Sequence, residues 1–332
     1  MPTSSSTAIA RPLRPTDLPA LVSFWARSRP PLARNGARYR NEARTWERLG
    51  IEEQGFHLLD STIEQWLPLA GRRHTWIAVR GLNVRGLASA RWRGARRAWE
   101  VDYFVAPSAD TSVCLSLLEQ LARSLGGAGV EKVFLRLDAD SGLVAVVRQA
   151  GFFPYLRERL LRIDGAPPGL GPSNLPLRQR RISADILPLF QLYNASVPAT
   201  VRRHEGVTLR EWLAAQEKGR CQHLVLQDDP TGRVTAWLRI AKSERGSRFS
   251  LLSERREAVP LDHLLAAALS YLADKRPIFC LVPEYQRTLA RHLGEMGFRP
   301  AAEYVVLVNR LVRPVEEAVP VPEAARQPYP VS

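Results

Sequence analysis

In "SVCLSLLEQLARSLGGAGV" (112–130) the apolar side chains fall three and four apart, at Leu115, Leu118, Leu121 and Leu125, which predicts an amphipathic helix closed by glycines. The alternating runs before it predict a hairpin over "TWIAVRGLNVRGLASARWR" (75–93) and a strand over "WEVDYFVAP" (99–107). After it, "KVFLRLD" (132–138) has the density of a buried strand. "VRQAGFFP" (147–154) ends a second helix in glycine, and "YLRERLLRI" (155–163) closes the unit as a strand. At the front, "ARPLRPTDLPALVSFWARS" (10–28) reads as a short strand, a cap at Thr16-Asp17 and a helix with Leu18, Leu21, Val22 and Trp25 on its apolar face.

The same order then returns. A spacing of 146 residues carries Thr62, Trp66 and Leu67 onto Thr208, Trp212 and Leu213, and Gly86 onto Gly232. It carries Leu115 and Leu118 onto Leu261 and Leu264, Ala122 and Ser124 onto Ala268 and Ser270, and Leu135 onto Leu281. Gly151, Phe152 and Pro154 fall on Gly297, Phe298 and Pro300. Self-similarity at a fixed period predicts a duplicated domain. The segment 34–60 has no match in the second copy, which is why the capping residues Asp17 and Asp185 stand 168 apart. Each copy reads β-α-α-β-β-β-α-β-α-β, an α/β chain of the α+β sandwich type in which a mixed, mostly antiparallel sheet is flanked by helices. The expected division is 1–164, a Pro/Gly-rich linker at 165–176, a second domain at 177–312 and a disordered Pro-rich tail at 313–332.

Composition narrows the function classes. With 332 residues, two domains that each bury a full core are expected. "MPTSSSTAIARP" lacks the apolar core of a secretory signal, and no run approaches the roughly 18 apolar residues of a membrane span, so a cytoplasmic protein without membrane partners is expected. Cys114, Cys221 and Cys280 are too scattered for a disulfide framework, and the six histidines show no metal-ligand spacing, so no metal is expected. The net charge is +14, but of 47 basic residues only Lys132, Lys218, Lys242 and Lys275 are lysines. Such an arginine bias is what a GC-rich genome writes without selection for nucleic acid, although an anionic ligand would profit from the surplus.

The element order, with a helix closing in Gly-Phe before the last strand, resembles the GNAT superfamily of acyl-CoA N-acetyltransferases. The resemblance covers about 10–164 and 177–311 and implies two tandem GNAT-like domains packed as an internal pseudo-dimer within a monomer. It implies acetyl-CoA as co-substrate and an amine as acceptor. In such proteins the loop after the fourth strand offers backbone N–H groups, usually between glycines, to the cofactor pyrophosphate. Here Val113 and Leu115 stand at the glycine positions with Asp110 at the basic one; the second copy keeps Arg256 but has Val259 and Leu261. The resemblance would place the pantetheine arm on the backbone of Val105 and the pyrophosphate at Thr111, Ser112 and Val113.

Glu100 and Asp102 alternate with Val101 and Tyr103, so the two carboxylates share a strand face. In a half-buried cleft each would raise the other's pKa and make one of them a general base. The second copy has no acid in "RFSLLS", which points to the first copy for chemistry. The family's general-acid tyrosine position holds Val147 and Leu293, with Tyr155 and Tyr285 nearby. The alternative reading is a GNAT-like binding or scaffold protein without turnover, its basic surface engaging nucleic acid or another acidic partner.

Overall fold

The computed structural model of the chain describes residues 8–28, 43, 73–94, 97–106, 110–165, 175–216, 221–228, 231–243, 246–254, 261–272 and 277–311. The first repeat runs β1 (Ile9–Pro12), a 3-10 turn (Pro15–Asp17), α1 (Leu18–Ser28), β2 (Arg73–Arg80), β3 (Asn83–Trp92), β4 (Ala98–Val105), α2 (Thr111–Gly127), β5 (Lys132–Asp138), α3 (Leu143–Gln149) and β6 (Phe153–Ile163). The second runs β7 (Arg178–Gln179), α4 (Ile186–Ser196), α5 (Ala199–Glu205), α6 (Leu209–Ala215), β8 (Gln222–Asp228), β9 (Arg233–Ser243), β10 (Gly246–Ser253), α7 (Leu261–Tyr271), β11 (Ile278–Pro283), α8 (Arg287–Glu295) and β12 (Arg299–Arg310). The α/β class and the repeated order agree with the sequence reading. The segment 34–60 apart from Ala43, the Thr62–Leu67 match, most of the linker, Arg256 and the tail lie outside the described residues.

The copies correspond less rigidly than a single spacing implies. Leu117, Leu118, Leu121 and Leu125 of α2 are buried, and Leu264, Leu265, Ala268 and Leu272 bury the same pattern 147 residues later. The predicted face is buried at Leu118, Leu121 and Leu125, whereas Leu115 is only partly buried and Leu117 takes its place in the core. On α1 the buried pair is Leu21 and Phe24, while Val22 is exposed. The counterpart of Leu135 is Cys280: Leu135 opposes Leu307, Cys280 opposes Leu161, and Leu281 faces the other way. Gly86 and Gly232 are not equivalent. Gly86 lies inside β3 opposite Ala78, where a Cβ would come 2.9 Å from Val113 Cγ1, whereas Gly232 sits in the β8–β9 turn at φ +67°. The spacing changes in turns and bulges, where an added residue costs least. It returns to 146 at Gly151 and Gly297, both in the left-handed region, and at the buried Phe152 and Phe298.

Among the described residues twelve strands form one sheet in the order β1-β2-β3-β4-β5-β12-β6-β11-β10-β9-β8-β7. The closing strands are exchanged. β12 of the second repeat pairs with β5 of the first, and β6 of the first pairs with β11 of the second, with β6 and β12 antiparallel at the centre. Pro154 opposes Leu307 and Leu161 opposes Pro300, so the "GF-x-P" prolines occupy symmetric places about a pseudo-two-fold axis, each beside a register shift. Proline cannot donate to a ladder, and the shifts absorb the missing bonds. Cutting the chain between 164 and 177 therefore does not separate two complete sheets. The exchange pairs both closing strands on both sides and leaves β1 and β7 as the edges.

Alternation assigns the faces. α2 and α3 cover Val101, Val133, Leu135 and Leu307 on one face, and α7 and α8 cover Phe249, Ile278, Cys280 and Leu161 on the same face of the other half. The opposite face packs α1 on Ile77, Leu87 and Val105, and α4 to α6 on Val225, Trp237, Leu156 and Val306. Between those two helical groups the sheet centre is the floor of a cavity.

Candidate functional site

The cavity measures about 290 Å³ and is walled by both repeats. β3 and β4 contribute Arg91 and Glu100, which lie opposite each other in register. β5 and β6 add Arg136 and Glu158, and the β3–β4 turn adds Arg93. From the second repeat come Tyr193, Glu205 and Trp212 on the helices, Trp237 and Arg239 on β9, Ser250 to Leu252 on β10, and Tyr285 after β11. The turn holding Arg93 is pressed against α6: Gly94 has φ +88°, and a Cβ there would lie 1.9 Å from the Ala214 carbonyl oxygen. Only glycine permits that approach, so the two halves are locked together at the rim.

Charge inside is organised in linked pairs. Arg91 Nη2 stands 3.3 Å from Glu100 Oε2, Arg136 Nη1 is 4.0 Å from Glu100 Oε1, and Arg136 Nε donates to Glu158 Oε2 at 2.7 Å. Burial opposes the charge on Arg136, but Glu158 and Glu100 outweigh it and hold the guanidinium above its usual range. Arg93 lies 4.4 Å above the Phe134 ring; burial again works against its charge, and Tyr155, Glu205 and Glu100 raise it. Tyr155 donates to Glu205 Oε1 at 3.0 Å. Burial, reinforced by Glu205 and Glu158, pushes the Tyr285 phenol well above its normal pKa. At the far end Arg239 Nε donates to Ser250 Oγ at 2.8 Å, Nη1 reaches Gln216 Oε1 at 3.5 Å, and the guanidinium lies 5.0 Å from the Trp237 ring centre.

The residues singled out from sequence separate into two places. Glu100 lines the cavity. Asp102 does not: the β3–β4 register shifts so that Ser89 faces Tyr103 and Ala90 faces Val101, which makes Asp102 the bulged residue, buried and paired with Arg73 at 2.7 Å. Each carboxylate answers an arginine, so the expected picture of two acids raising each other's pKa gives way to two ion pairs. β9 and β10 run without such a shift. Val105 and Val113 are fully buried in the packing around α1 and α2. At the start of α2 the Asp110 carboxylate accepts from Ser112 Oγ at 2.7 Å and from Val113 N at 3.4 Å, and Arg80 stands 3.3 Å away. Ser112 is the main reason this carboxyl sits below its usual pKa. The anion held at that helix start is the chain's own side chain, and the Thr111–Val113 segment does not fit a pyrophosphate as it stands.

Two clefts flank the sheet centre. β4 and β5 run parallel only at Ala98–Lys132, Trp99–Val133 and Glu100–Phe134, and β10 and β11 only at Ser247–Ile278, Arg248–Phe279 and Phe249–Cys280. Beyond those pairs the strands diverge. The second opening gives directly onto the cavity through Ser250 to Leu252, Leu281 and Pro283, with Gln286 Nε2 donating across it to the Leu251 carbonyl at 3.0 Å. The backbone groups of β10 beyond Phe249 are not laddered to β11, and the Leu251 carbonyl is met by Gln286 instead. Sequence reasoning passed over Arg136, Glu158, Glu205 and Arg239. The available signal was an Arg or Glu at an inward position of a strand otherwise apolar, as in "FLRLD", "YLRERLL" and "AWLRIA".

Among the described residues no group of His, Cys, Asp and Glu side chains could hold a metal ion, and no helix is long and apolar enough to cross a membrane. No protein-family model matches the sequence, and no curated protein matches it. Solved structures do. A GCN5-related N-acetyltransferase from Sphaerobacter thermophilus superposes with a TM-score of 0.55 at 16% identity, covering 92% of this chain and 96% of that one. A tandem GNAT protein from the clavulanic acid biosynthesis pathway gives 0.54 at 13% identity over 92% of this chain and 99% of that one. The chain has the tandem GNAT fold along nearly its whole length.

Proposed function

Proceeding from that fold, we propose that the chain is an acyl-CoA-dependent N-acetyltransferase whose acceptor amine occupies the central cavity and whose working cleft is the one between β10 and β11. The observation that carries this reading is the second cleft itself, which opens onto a pocket lined by the half-buried carboxylates of Glu100 and Glu205, the buried one of Glu158 and a protonated phenol. When bound, acyl-CoA supplies the activated acyl group. The first repeat, its α2 start filled by Asp110, contributes walls and charge instead of a second cofactor site.

An amine acceptor arrives as an ammonium ion and must lose a proton before it is a nucleophile. Glu205, which accepts from Tyr155 and bears electrostatically on Tyr285, takes that proton directly or through a water. Glu100 balances Arg91 and Arg136 and sets the charge of the opposite wall, while Asp102 keeps Arg73 and the β4 bulge in place. Tyr285 retains its proton at neutral pH and offers its O–H as a hydrogen-bond donor to the departing thiolate, which leaves as the anion and takes its proton from solvent.

Calorimetric titration of acetyl-CoA into the whole chain tests the reading, with one site expected per chain and loss of binding in Ser250→Trp, which fills the mouth. No binding up to about millimolar, weaker than roughly 4 kcal/mol, rejects the transferase. The scaffold reading draws support from the self-filled helix start at Asp110. It predicts salt-dependent retention on DNA in place of cofactor binding.

A further inference from the structure

At one corner of the cavity the two halves set an arginine near a carboxylate without joining them. Arg93, on the β3–β4 turn, holds its guanidinium 4.4 Å from the centre of the Phe134 ring, and Gly94 pins that turn against Ala214. Glu205, the last residue of α5, accepts from the Tyr155 hydroxyl on Oε1 at 3.0 Å. Among the described residues nothing accepts a hydrogen bond from the Arg93 side chain, and nothing donates to Glu205 Oε2. Both side chains line the cavity, and neither is sealed from it. Burial works against the charge of Arg93, and Tyr155, Glu205 and Glu100 uphold it. What Arg93 lacks is therefore not a counter-ion but an acceptor for its N–H groups, of which a guanidinium carries five in one plane.

A ligand that completes this corner brings an N–H cation for Glu205 Oε2 and, close to it, an oxygen for Arg93. A carboxylate in the second role would stand beside Glu205 and Glu100 and be repelled, whereas an uncharged carbonyl oxygen accepts from the guanidinium without that cost. We infer that the Arg93–Glu205 corner is a head-group subsite for a small α-amino amide, its ammonium on Glu205 Oε2 and its carbonyl oxygen on the Arg93 N–H groups. The subsite deepens the acceptor half of the transferase reading and rests on it for the fate of the amine, but not for the binding. A space of about 290 Å³ lies at the lower bound for small-molecule pockets, which suits a ligand of that size.

Three probes with the same ring test it on the full-length chain: L-phenylalaninamide, phenethylamine and L-phenylalanine. They are titrated at about pH 6, where their amines carry a proton, and followed by calorimetry and tryptophan fluorescence. The amide is expected to bind about tenfold or more tighter than phenethylamine, which lacks the carbonyl, and tighter than phenylalanine, whose carboxylate meets Glu205 and Glu100. Arg93→Met, which keeps an apolar stem on Phe134 but has no N–H, should remove the amide's advantage and leave phenethylamine bound no more weakly. Arg93→Lys should keep part of the advantage. No binding of any probe, equal binding of the amide and phenethylamine, tightest binding of phenylalanine, or an amide advantage that survives Arg93→Met overturns the subsite. Should Arg93→Met not fold, the wild-type comparison and Glu205→Gln decide: that variant should weaken the amide and phenethylamine alike, and unchanged affinities in it overturn the subsite too. Arg93-dependent binding of the amide without any binding of acetyl-CoA would sink the transferase and leave the subsite standing; acetyl-CoA binding with no preference for the amide would sink the subsite alone.

Discussion

Arg178 grips Asp185 through two parallel hydrogen bonds, Nη1 to Oδ2 and Nη2 to Oδ1, each 2.7 Å long. The backbone N–H of Arg181 donates to the same carboxylate at 2.6 Å, and Asp185 is 3% exposed. Arg11 and Asp17 repeat the device with two bonds of 2.6 Å and a third from Arg14 N at 2.8 Å. Each clasp fastens the opening strand of a repeat to the helical segment that follows it, and the duplication has preserved it through a change of spacing.

Removing Asp185 leaves a bidentate guanidinium and an inward-facing N–H without their acceptor. Asp185→Ala is expected to cost about 3 kcal/mol in urea unfolding, near the low end for breaking a buried pair. The arginine bond is the main cause that holds this carboxyl below its normal pKa. A depressed folded pKa gives stabilisation that is complete above the unfolded value of about 3.9 and lost as pH falls through the folded one. The gap between wild type and Asp185→Ala should therefore narrow below about pH 4. A gap that stays constant into strong acid would show that the carboxylate charge is not what stabilises the clasp.

His223 works in the same sense at higher pH. Burial, then Arg180 and Arg239, lower its pKa to about 4. Its unfolded form binds a proton near pH 6.5, so between that value and the folded one the unfolded state holds more protons and stability falls as pH drops. His74 and His204, also lowered by burial, act with the same sign. Unfolding midpoints measured from pH 7.5 to 4.5 should decline, and His223→Gln should make the decline shallower without abolishing it. An unchanged slope would place His223 outside the acid response.

The exchange of closing strands joins the repeats into one cooperative unit. β5 has its outer partner in β12 and β11 has its own in β6, so neither half can lose its sheet without opening the other. Scanning calorimetry should give a single transition whose calorimetric and van't Hoff enthalpies agree. A chain ended at residue 298 would expose the flanks of β5 and β6 and should elute as oligomers. Two resolved transitions, or a monomeric truncated chain, would mean that the halves fold on their own.

Much of the fold was legible because periodicity and punctuation report local structure. The strand over 132–138, the α2 helix and the Gly-Phe helix ends follow from spacing alone. The strand exchange was not, since β6 and β12 have the same pattern whichever copy they pair with. A single offset also hid the slip of Leu135 onto Cys280, because both neighbours there are apolar and only the face distinguishes them. At the site, Glu100 was found through its place on a strand, whereas Glu205 and Arg239 come together only through the packing of α5 and β9. The bulge that sets Asp102 apart from Glu100 depends on the partner strand, and no single-strand pattern encodes it.

Tyr285 gives the sharpest test of chemistry at the second cleft. Its phenol is kept protonated by burial and by Glu205 and Glu158, which disfavour a second negative charge beside them. A donor of that kind assists a thiolate only as it departs, so its loss should fall on turnover and not on acceptor binding. Tyr285→Phe keeps the ring and its packing against α4 and α6 while removing the proton. For whichever amine proves to be an acceptor, kcat is expected to drop by about 10² with KM changed by less than about twofold. Because the phenol titrates above its ordinary value of about 10, the wild-type rate should show no alkaline decline below that pH. An unaltered kcat in Tyr285→Phe would remove this hydrogen-bond donor from the scheme, and a raised KM with unchanged kcat would make Tyr285 part of the acceptor pocket instead.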